Sequence, residues 1–158
     1  FTDAPLLRDW VYICDKAYSR GQFVSCEAKM LNAIGWEFEV PNALDALTQL
    51  LEATPEARET DQILHLAHYL IELTLQEYAM LSFLPLTIAA SALYLARRVA
   101  GQIPWTPELG KRTGCTEAIL MPCVRQLHML QKNAESNRLK AVWKKYSDSK
   151  AFLGVSRL

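Results

Sequence analysis

The stretch FLPLTIAASALYLARRVA, residues 83–100, decides the fold of this chain. Its apolar side chains surround almost the whole helical projection, which is typical of a helix that is buried on most sides. Pro85 suits the first helical turn, and Gly101 stands where a left-handed residue commonly ends a helix. The small residues from Ala89 to Ala96 would allow neighbouring helices to approach its backbone closely. We therefore predict a central buried helix over residues 83–100.

Two arginines end the uncharged part of this stretch. Arg97 and Arg98 are expected to place positive charge at the negative end of the helix dipole. The charge-free run of residues 84–95 is shorter than the roughly 20 apolar residues that a membrane-spanning helix requires. We therefore expect a core helix of a globular domain, and no membrane partner.

Capping residues and helical periodicity predict further helices on both sides of this central one. The expected helices cover residues 5–14, 20–34, 42–51, about 55–80, 107–113, about 117–130 and about 135–146. The fourth of these should begin at Thr54-Pro55-Glu56, and the tail from Lys150 should be irregular. Residues 36–40 alternate like a strand but have no strand to pair with, so we interpret them as an extended connector. The predicted fold class is all-α.

The best candidate domain boundary is Pro41-Asn42, where a proline precedes a helix-capping asparagine. Residues 41–158 supply five main helices, enough for a bundle around residues 83–100. Residues 1–40 supply only two helices, which cannot enclose a core. This first segment is therefore interpreted as the C-terminal part of another domain.

Composition and charge limit the classes of function. The chain has 158 residues, with 17 basic residues balanced by 17 acidic ones, which argues against sequence-independent DNA binding. Residues 52–77 are acidic and residues 135–158 are basic. The four cysteines form no CxxC pair, so we expect reduced thiols in a cytosolic or nuclear protein.

No pattern for catalysis, cofactor binding or nucleotide binding occurs in the sequence. His65 and His68 have a spacing that can place two imidazoles on one metal ion, but no third ligand is indicated. We therefore expect neither a metal nor a cofactor, and no enzymatic activity. The basic residues near the C-terminus are interpreted as a solvated face rather than as a nucleic-acid site.

Six stretches, taken together, carry a family resemblance. They are WVYICDKAY (10–18), MLNAIGWEFEVP (30–41), YLIELT (69–74), LPLTIAASALYLA (84–96), TGCTEAILMPC (113–123) and KYSDSKAFLGVS (145–156). In this order and at these separations they resemble mitotic, A- or B-type, cyclins over residues 5–155. The resemblance implies two cyclin-box folds of five helices each. Residues 1–40 would be the C-terminal part of the first box, and residues 41–158 would be the second box and tail.

The resemblance also implies a function: a regulatory subunit that binds and activates a cyclin-dependent protein kinase, in the nucleus and cytoplasm of a eukaryotic cell, and contributes to substrate choice. Glu27 matches an acidic position that meets the kinase and pairs with a lysine earlier in the box. Leu31, Trp36 and Phe38 match apolar kinase contacts, although the family usually has phenylalanine at the position of Trp36. Ile13 matches one wall of the patch that docks peptides of substrates and inhibitors.

Other interpretations of these residues remain open at the level of sequence. Glu27 could be an ordinary acidic residue of a helix surface, and Trp36, Phe38 and Ile13 could belong to the core of the first box. For the whole chain, the alternative function is a cyclin-fold adaptor in transcription that binds DNA or a peptide motif. Such a DNA-binding member should have a continuous basic face and strongly salt-dependent binding.

Overall fold

A computed structural model of the chain describes residues 4–52 and 59–158. Within these ranges the secondary structure consists of α-helices and 3₁₀ turns, with no strand, which confirms the all-α prediction. The helices are α1 (Leu7–Ile13), α2 (Arg20–Ala33), α3 (Ala43–Glu52), α4 (Asp61–Thr74), α5 (Pro85–Val99), α6 (Pro107–Thr113), α7 (Glu117–Asn133), α8 (Ala141–Tyr146) and α9 (Ser149–Phe152). The 3₁₀ turns are Tyr78–Ser82 and Val155–Arg157.

Helix α5 is the central helix that the sequence predicted. Pro85 occupies its first turn, and residues 88–97 are all buried. Helices α3, α4 and α7 pack against α5, and α6 adds Leu109 to the same core. Small side chains such as Ala89 and Ala90 are fully buried, which allows this close packing.

The chain divides into two compact units, one ending at Val40 and the other beginning at Pro41. In the first unit α1 and α2 pack against each other, yet none of the residues 4–40 is buried. All buried core residues of the described ranges lie in the second unit. Its first helix, α3, is capped by Asn42, whose Oδ1 accepts hydrogen bonds from the backbone N–H groups of Leu44 and Asp45 at 2.9 and 3.1 Å.

The predicted helix over residues 55–80 is wrong in its extent. Its expected start at Thr54-Pro55-Glu56 lies outside the described residues. Thr60 caps α4, its Oγ1 accepting a hydrogen bond from the Ile63 N–H at 3.4 Å, so this helix begins at Asp61. The helix ends at Thr74, and Glu77 caps the separate 3₁₀ turn by accepting a hydrogen bond from the Ala79 N–H at 3.3 Å. Local capping therefore separates two helical segments that periodicity alone predicted as one helix.

The C-terminal segment also differs from the prediction. Residues 135–140 lie outside any helix, and α8 begins only at Ala141. The tail is ordered rather than irregular because Asp148 caps α9 through the Lys150 N–H at 2.8 Å. Leu153 and Gly154, with φ of 55° and 64°, then reverse the chain and place Val155 in the core with no exposed surface.

Candidate functional site

Helix α2 and the turn that follows it carry most of the predicted site residues. The helix begins with a capping box, in which the Gln22 N–H donates to Ser19 Oγ at 3.3 Å and the Ser19 N–H donates to Gln22 Oε1 at 2.8 Å. This reciprocal pair fixes the start of the helix, as the sequence predicted. Glu27 and Leu31 then lie one turn apart on the same side of α2.

Trp36 belongs to the turn that ends α2, and not to an extended connector as predicted. Gly35 and Trp36 both have φ of 62°, in the left-handed region that costs a residue with a side chain about 1–2 kcal/mol. Two hydrogen bonds offset this cost. The Trp36 N–H donates to the Leu31 carbonyl at 2.9 Å, and the indole Nε1–H donates to Asn32 Oδ1 at 3.1 Å. The Trp36 side chain is thus anchored beside the C-terminal turn of α2.

Three of the five predicted site residues lie close together in the structure, and the other two lie near the ends of secondary-structure elements. Glu27, Leu31 and Trp36 share the C-terminal half of α2 and its turn, and Leu31 alone of these is half-buried. Phe38 follows two residues after Trp36, with exposures of 62% and 60%. Ile13 ends α1 and is 67% exposed. Ile13, Trp36 and Phe38 are therefore exposed in the described part of the chain.

The Glu27 carboxylate has no ion-pair partner in the described part of the chain. Among residues 4–52 and 59–158, no basic group lies within 4.0 Å of its carboxylate. Met30 and Ile34, on the neighbouring turns of α2, are 64% and 51% exposed. The sequence did not assign Met30 and Ile34 to the site. The available signal in the sequence was the spread of apolar residues around α2, of which Met30 remains exposed.

The two histidines of α4, His65 and His68, lie among side chains of the second unit. The His65 ring meets the Phe152 ring edge-on at 5.7 Å, and His68 is half-buried. Burial lowers the pKa of His68, and the positive charges of His65 and Lys145 lower it further. The negative charge of Glu72 acts in the opposite direction and raises this pKa. In the part of the chain that the structure describes, no group of three His, Cys, Asp or Glu side chains could hold a metal ion. None of the described helices has the length and apolar character to span a bilayer.

Comparison with known proteins gives one family and a set of relatives. The family "Cyclin, C-terminal domain" matches residues 41–158. The chain is 39% identical over 156 residues to a G2/mitotic-specific cyclin-B of Hydra viridissima, covering 98% of this chain and 38% of the relative. It is 40% identical over 154 residues to the G2/mitotic-specific cyclin-B of Hydra vulgaris, covering 97% and 41%. It is 37% identical over 150 residues to Cyclin-B1-3 of Oryza sativa subsp. japonica, covering 94% and 31%.

Proposed function

The chain belongs to the cyclin family, and from this premise we propose that its protein is a regulatory subunit that binds and activates a cyclin-dependent protein kinase in cell-cycle control. Its named relatives are mitotic cyclins of animals and plants. The chain spans about two fifths or less of the length of these curated relatives. The activity and partners of the whole protein are accordingly part of the proposal.

We assign the unit ending at Val40 to the C-terminal part of a first cyclin box and residues 41–158 to a second box with its tail. Two observations support this assignment. The chain separates between Val40 and Pro41 into two units, and the match to the C-terminal cyclin domain begins at residue 41. The second unit would then act as a scaffold, while the first carries the surface that meets the kinase.

The observation that carries the proposal is the set of exposed side chains Glu27, Trp36 and Phe38, with half-buried Leu31 beside them, at the end of α2. Large aromatic side chains are the residues that most often dominate the free energy of protein association. Trp36 is already held by its two hydrogen bonds, so binding would immobilise few additional torsions. The Glu27 carboxylate has no ion-pair partner within residues 4–52 and 59–158, and it would accept a hydrogen bond from a lysine of the first box or a basic group of the kinase.

Activation requires that this surface bind the active arrangement of the kinase more tightly than the inactive one. In an active kinase a glutamate of the regulatory C helix reaches the lysine that positions ATP. The apolar side chains Leu31, Trp36 and Phe38 would pack against this helix and stabilise that arrangement. The protein itself would catalyse no reaction.

The remaining partners follow from the same family assignment. Ile13, exposed at the end of α1, would form one wall of a patch that docks short peptides of substrates or inhibitors. We expect the protein to act in the nucleus and cytoplasm and to bind neither nucleic acid nor membrane. The relatives named above are mitotic cyclins, and this does not favour the transcription-adaptor alternative.

Alanine substitutions in the full-length protein test the proposal. Trp36→Ala and Phe38→Ala should each weaken association with a purified cyclin-dependent kinase at least about tenfold, as expected for aromatic hot spots. Isothermal titration calorimetry would measure the affinity, and phosphorylation of histone H1 would measure activation.

The matched control is Tyr78→Ala, because Tyr78 is an exposed aromatic residue of the second unit, at 85% exposure. This variant should bind the kinase with the affinity of the unmodified protein. If neither Trp36→Ala nor Phe38→Ala changes the affinity for the kinase, these two residues do not belong to the interface. Absence of any kinase binding by the unmodified protein would refute the function itself.

A further inference from the structure

An open cleft lies in the unit that begins at Pro41, away from the residues assigned to the kinase. Its volume is about 930 Å³, within the range of pockets that hold ligands. Side chains of α5, α7, α8 and the last 3₁₀ turn line it. Spacing along the sequence does not indicate this cleft, because its walls come from four separate parts of the chain.

The cleft concentrates positive charge. Arg98 of α5, Arg125 and Lys132 of α7, and Arg157 of the last 3₁₀ turn all line it, against the single acidic side chain Glu135. All four basic residues are exposed. Within the described ranges none of the four has a carboxylate within 4.0 Å. These cations are therefore available to an anionic ligand.

The cleft also has an apolar component and an unsatisfied hydroxyl group. Met121 and Trp143 are half-buried and line the cleft beside the basic residues. Ser156 lines it as well, is 7% exposed, and its Oγ has no hydrogen-bond partner in the described part of the chain. A buried hydroxyl group without a partner is uncommon in proteins, and an incoming acceptor would satisfy it.

We propose that this cleft docks an acidic peptide segment of a partner protein. Carboxylates of the peptide would pair with Arg98, Arg125 and Lys132, and Arg is well suited to bidentate carboxylate recognition. An apolar side chain of the peptide would cover Met121 and Trp143. This site goes beyond the proposed kinase contact, because it belongs to the other unit and uses none of its residues.

An acidic peptide fits the cleft better than a nucleic acid does. Nonspecific binding of nucleic acid draws its affinity from a basic surface that follows the phosphate backbone. Here the basic side chains line a concavity together with the apolar side chains Met121 and Trp143, which a phosphate backbone would leave uncovered. The arrangement instead matches a short peptide that alternates carboxylates with apolar side chains.

A fluorescein-labelled peptide containing two copies of Asp-Glu-Phe-Asp-Glu-Leu would serve as the probe, with binding to the full-length protein followed by fluorescence anisotropy. Replacing its acids by Asn and Gln, or its Phe and Leu by Ser, should weaken binding about tenfold in each case, because charge and apolar contact both contribute. Binding should also weaken as ionic strength rises.

Charge reversal locates the site. Arg125→Glu and Lys132→Glu should each weaken binding of the acidic probe about tenfold. Lys111→Glu, at an exposed position of α6 that does not line the cleft, makes the same charge change and should leave binding unchanged. Equal effects of Arg125→Glu and Lys111→Glu on binding of the acidic probe would overturn the proposal. The proposal would also be overturned if a duplex DNA bound more tightly than the acidic probe and Arg125→Glu weakened that DNA binding. Trp36→Ala should not alter probe binding, so this test fails or succeeds independently of the kinase proposal.

Discussion

The buried ion pair between Arg97 and Glu59 offers the sharpest test of how the second unit is held together. Arg97 lies on α5, and its Nε is 3.3 Å from Glu59 Oε1, with side-chain exposures of only 8% and 5%. The Arg97 Nε and Nη1 groups have no hydrogen bond of good geometry in the described part of the chain. The pair therefore joins the central helix to Glu59, two residues before the start of α4, without satisfying every hydrogen-bonding group of Arg97.

Breaking such a pair from one side is costly, whereas replacing both partners is not. Glu59→Leu would leave a buried guanidinium that cannot lose its proton, and should lower the free energy of unfolding by about 3–5 kcal/mol. Arg97→Met should cost less, because a buried carboxyl group can take up a proton and become neutral. The double variant should be close to the unmodified protein in stability or more stable, because similar apolar volume replaces two desolvated charges.

Urea denaturation followed by far-ultraviolet circular dichroism would measure all three variants. The exposed pair Arg112–Glu108, 3.1 Å apart, is the matched control, and Glu108→Leu should cost no more than about 1 kcal/mol. If Glu59→Leu and Arg97→Met each cost under about 1 kcal/mol and their effects add, the pair is not desolvated and the reasoning is refuted.

The Glu59–Arg97 pair should also make the free energy of unfolding depend on pH. Burial raises the pKa of the Glu59 carboxyl above its ordinary value of 4.5, and Arg97 opposes this shift. The folded state therefore keeps this proton to higher pH than the unfolded state does. The stabilisation from Glu59 is complete below pH 4.5 and is lost as the pH rises through the folded-state pKa. Glu59→Gln should remove this contribution from the pH dependence of unfolding.

Two further predictions concern α5 and α4. Ala90→Leu should lower the free energy of unfolding by about 1–3 kcal/mol through overpacking, because Ala90 is fully buried on α5, and an unchanged melting temperature would contradict its burial. For His68 the sign is opposite to that of Glu59: its lowered folded-state pKa provides stability above pH 6.5 that is lost as the pH falls through the folded-state pKa. His68→Gln should therefore flatten the decline in unfolding free energy toward acid pH, and equal slopes in the two proteins would contradict this assignment.

Where the sequence predicted the fold well, the relevant interactions are local. The uncharged run with Pro85 at its start specifies α5, and Ser19 with Gln22 specifies the start of α2, because capping acts within one turn. The helix boundary at Thr60 was missed although Thr60 is itself a good capping residue. The earlier candidate Thr54-Pro55-Glu56 has the stronger local signal, and periodicity could not choose between the two.

Where prediction failed, the decisive contacts join residues far apart in the chain. Arg97 lies in the last turn of α5 as expected from the helix dipole, but its buried contact with Glu59 was not predicted. The ion pair between Lys145 Nζ and Glu72 Oε2, which are 2.7 Å apart, was not predicted either. The burial of Val155 has no periodic signal, because it is a single apolar residue after a chain reversal. None of these pairings can be read from spacing along the sequence.

For the candidate site, too, some features were predicted from the sequence and others were not. The family resemblance selected Trp36, but no sequence rule predicted its left-handed backbone, because large side chains rarely adopt that conformation. That conformation has a functional consequence under the proposed function. The backbone N–H of Trp36 closes the turn after α2 on the Leu31 carbonyl, while the hydrogen bond from the indole N–H to Asn32 holds the ring in place. Asn32→Ala should therefore weaken kinase binding less than Trp36→Ala does, because it loosens the aromatic ring without removing it.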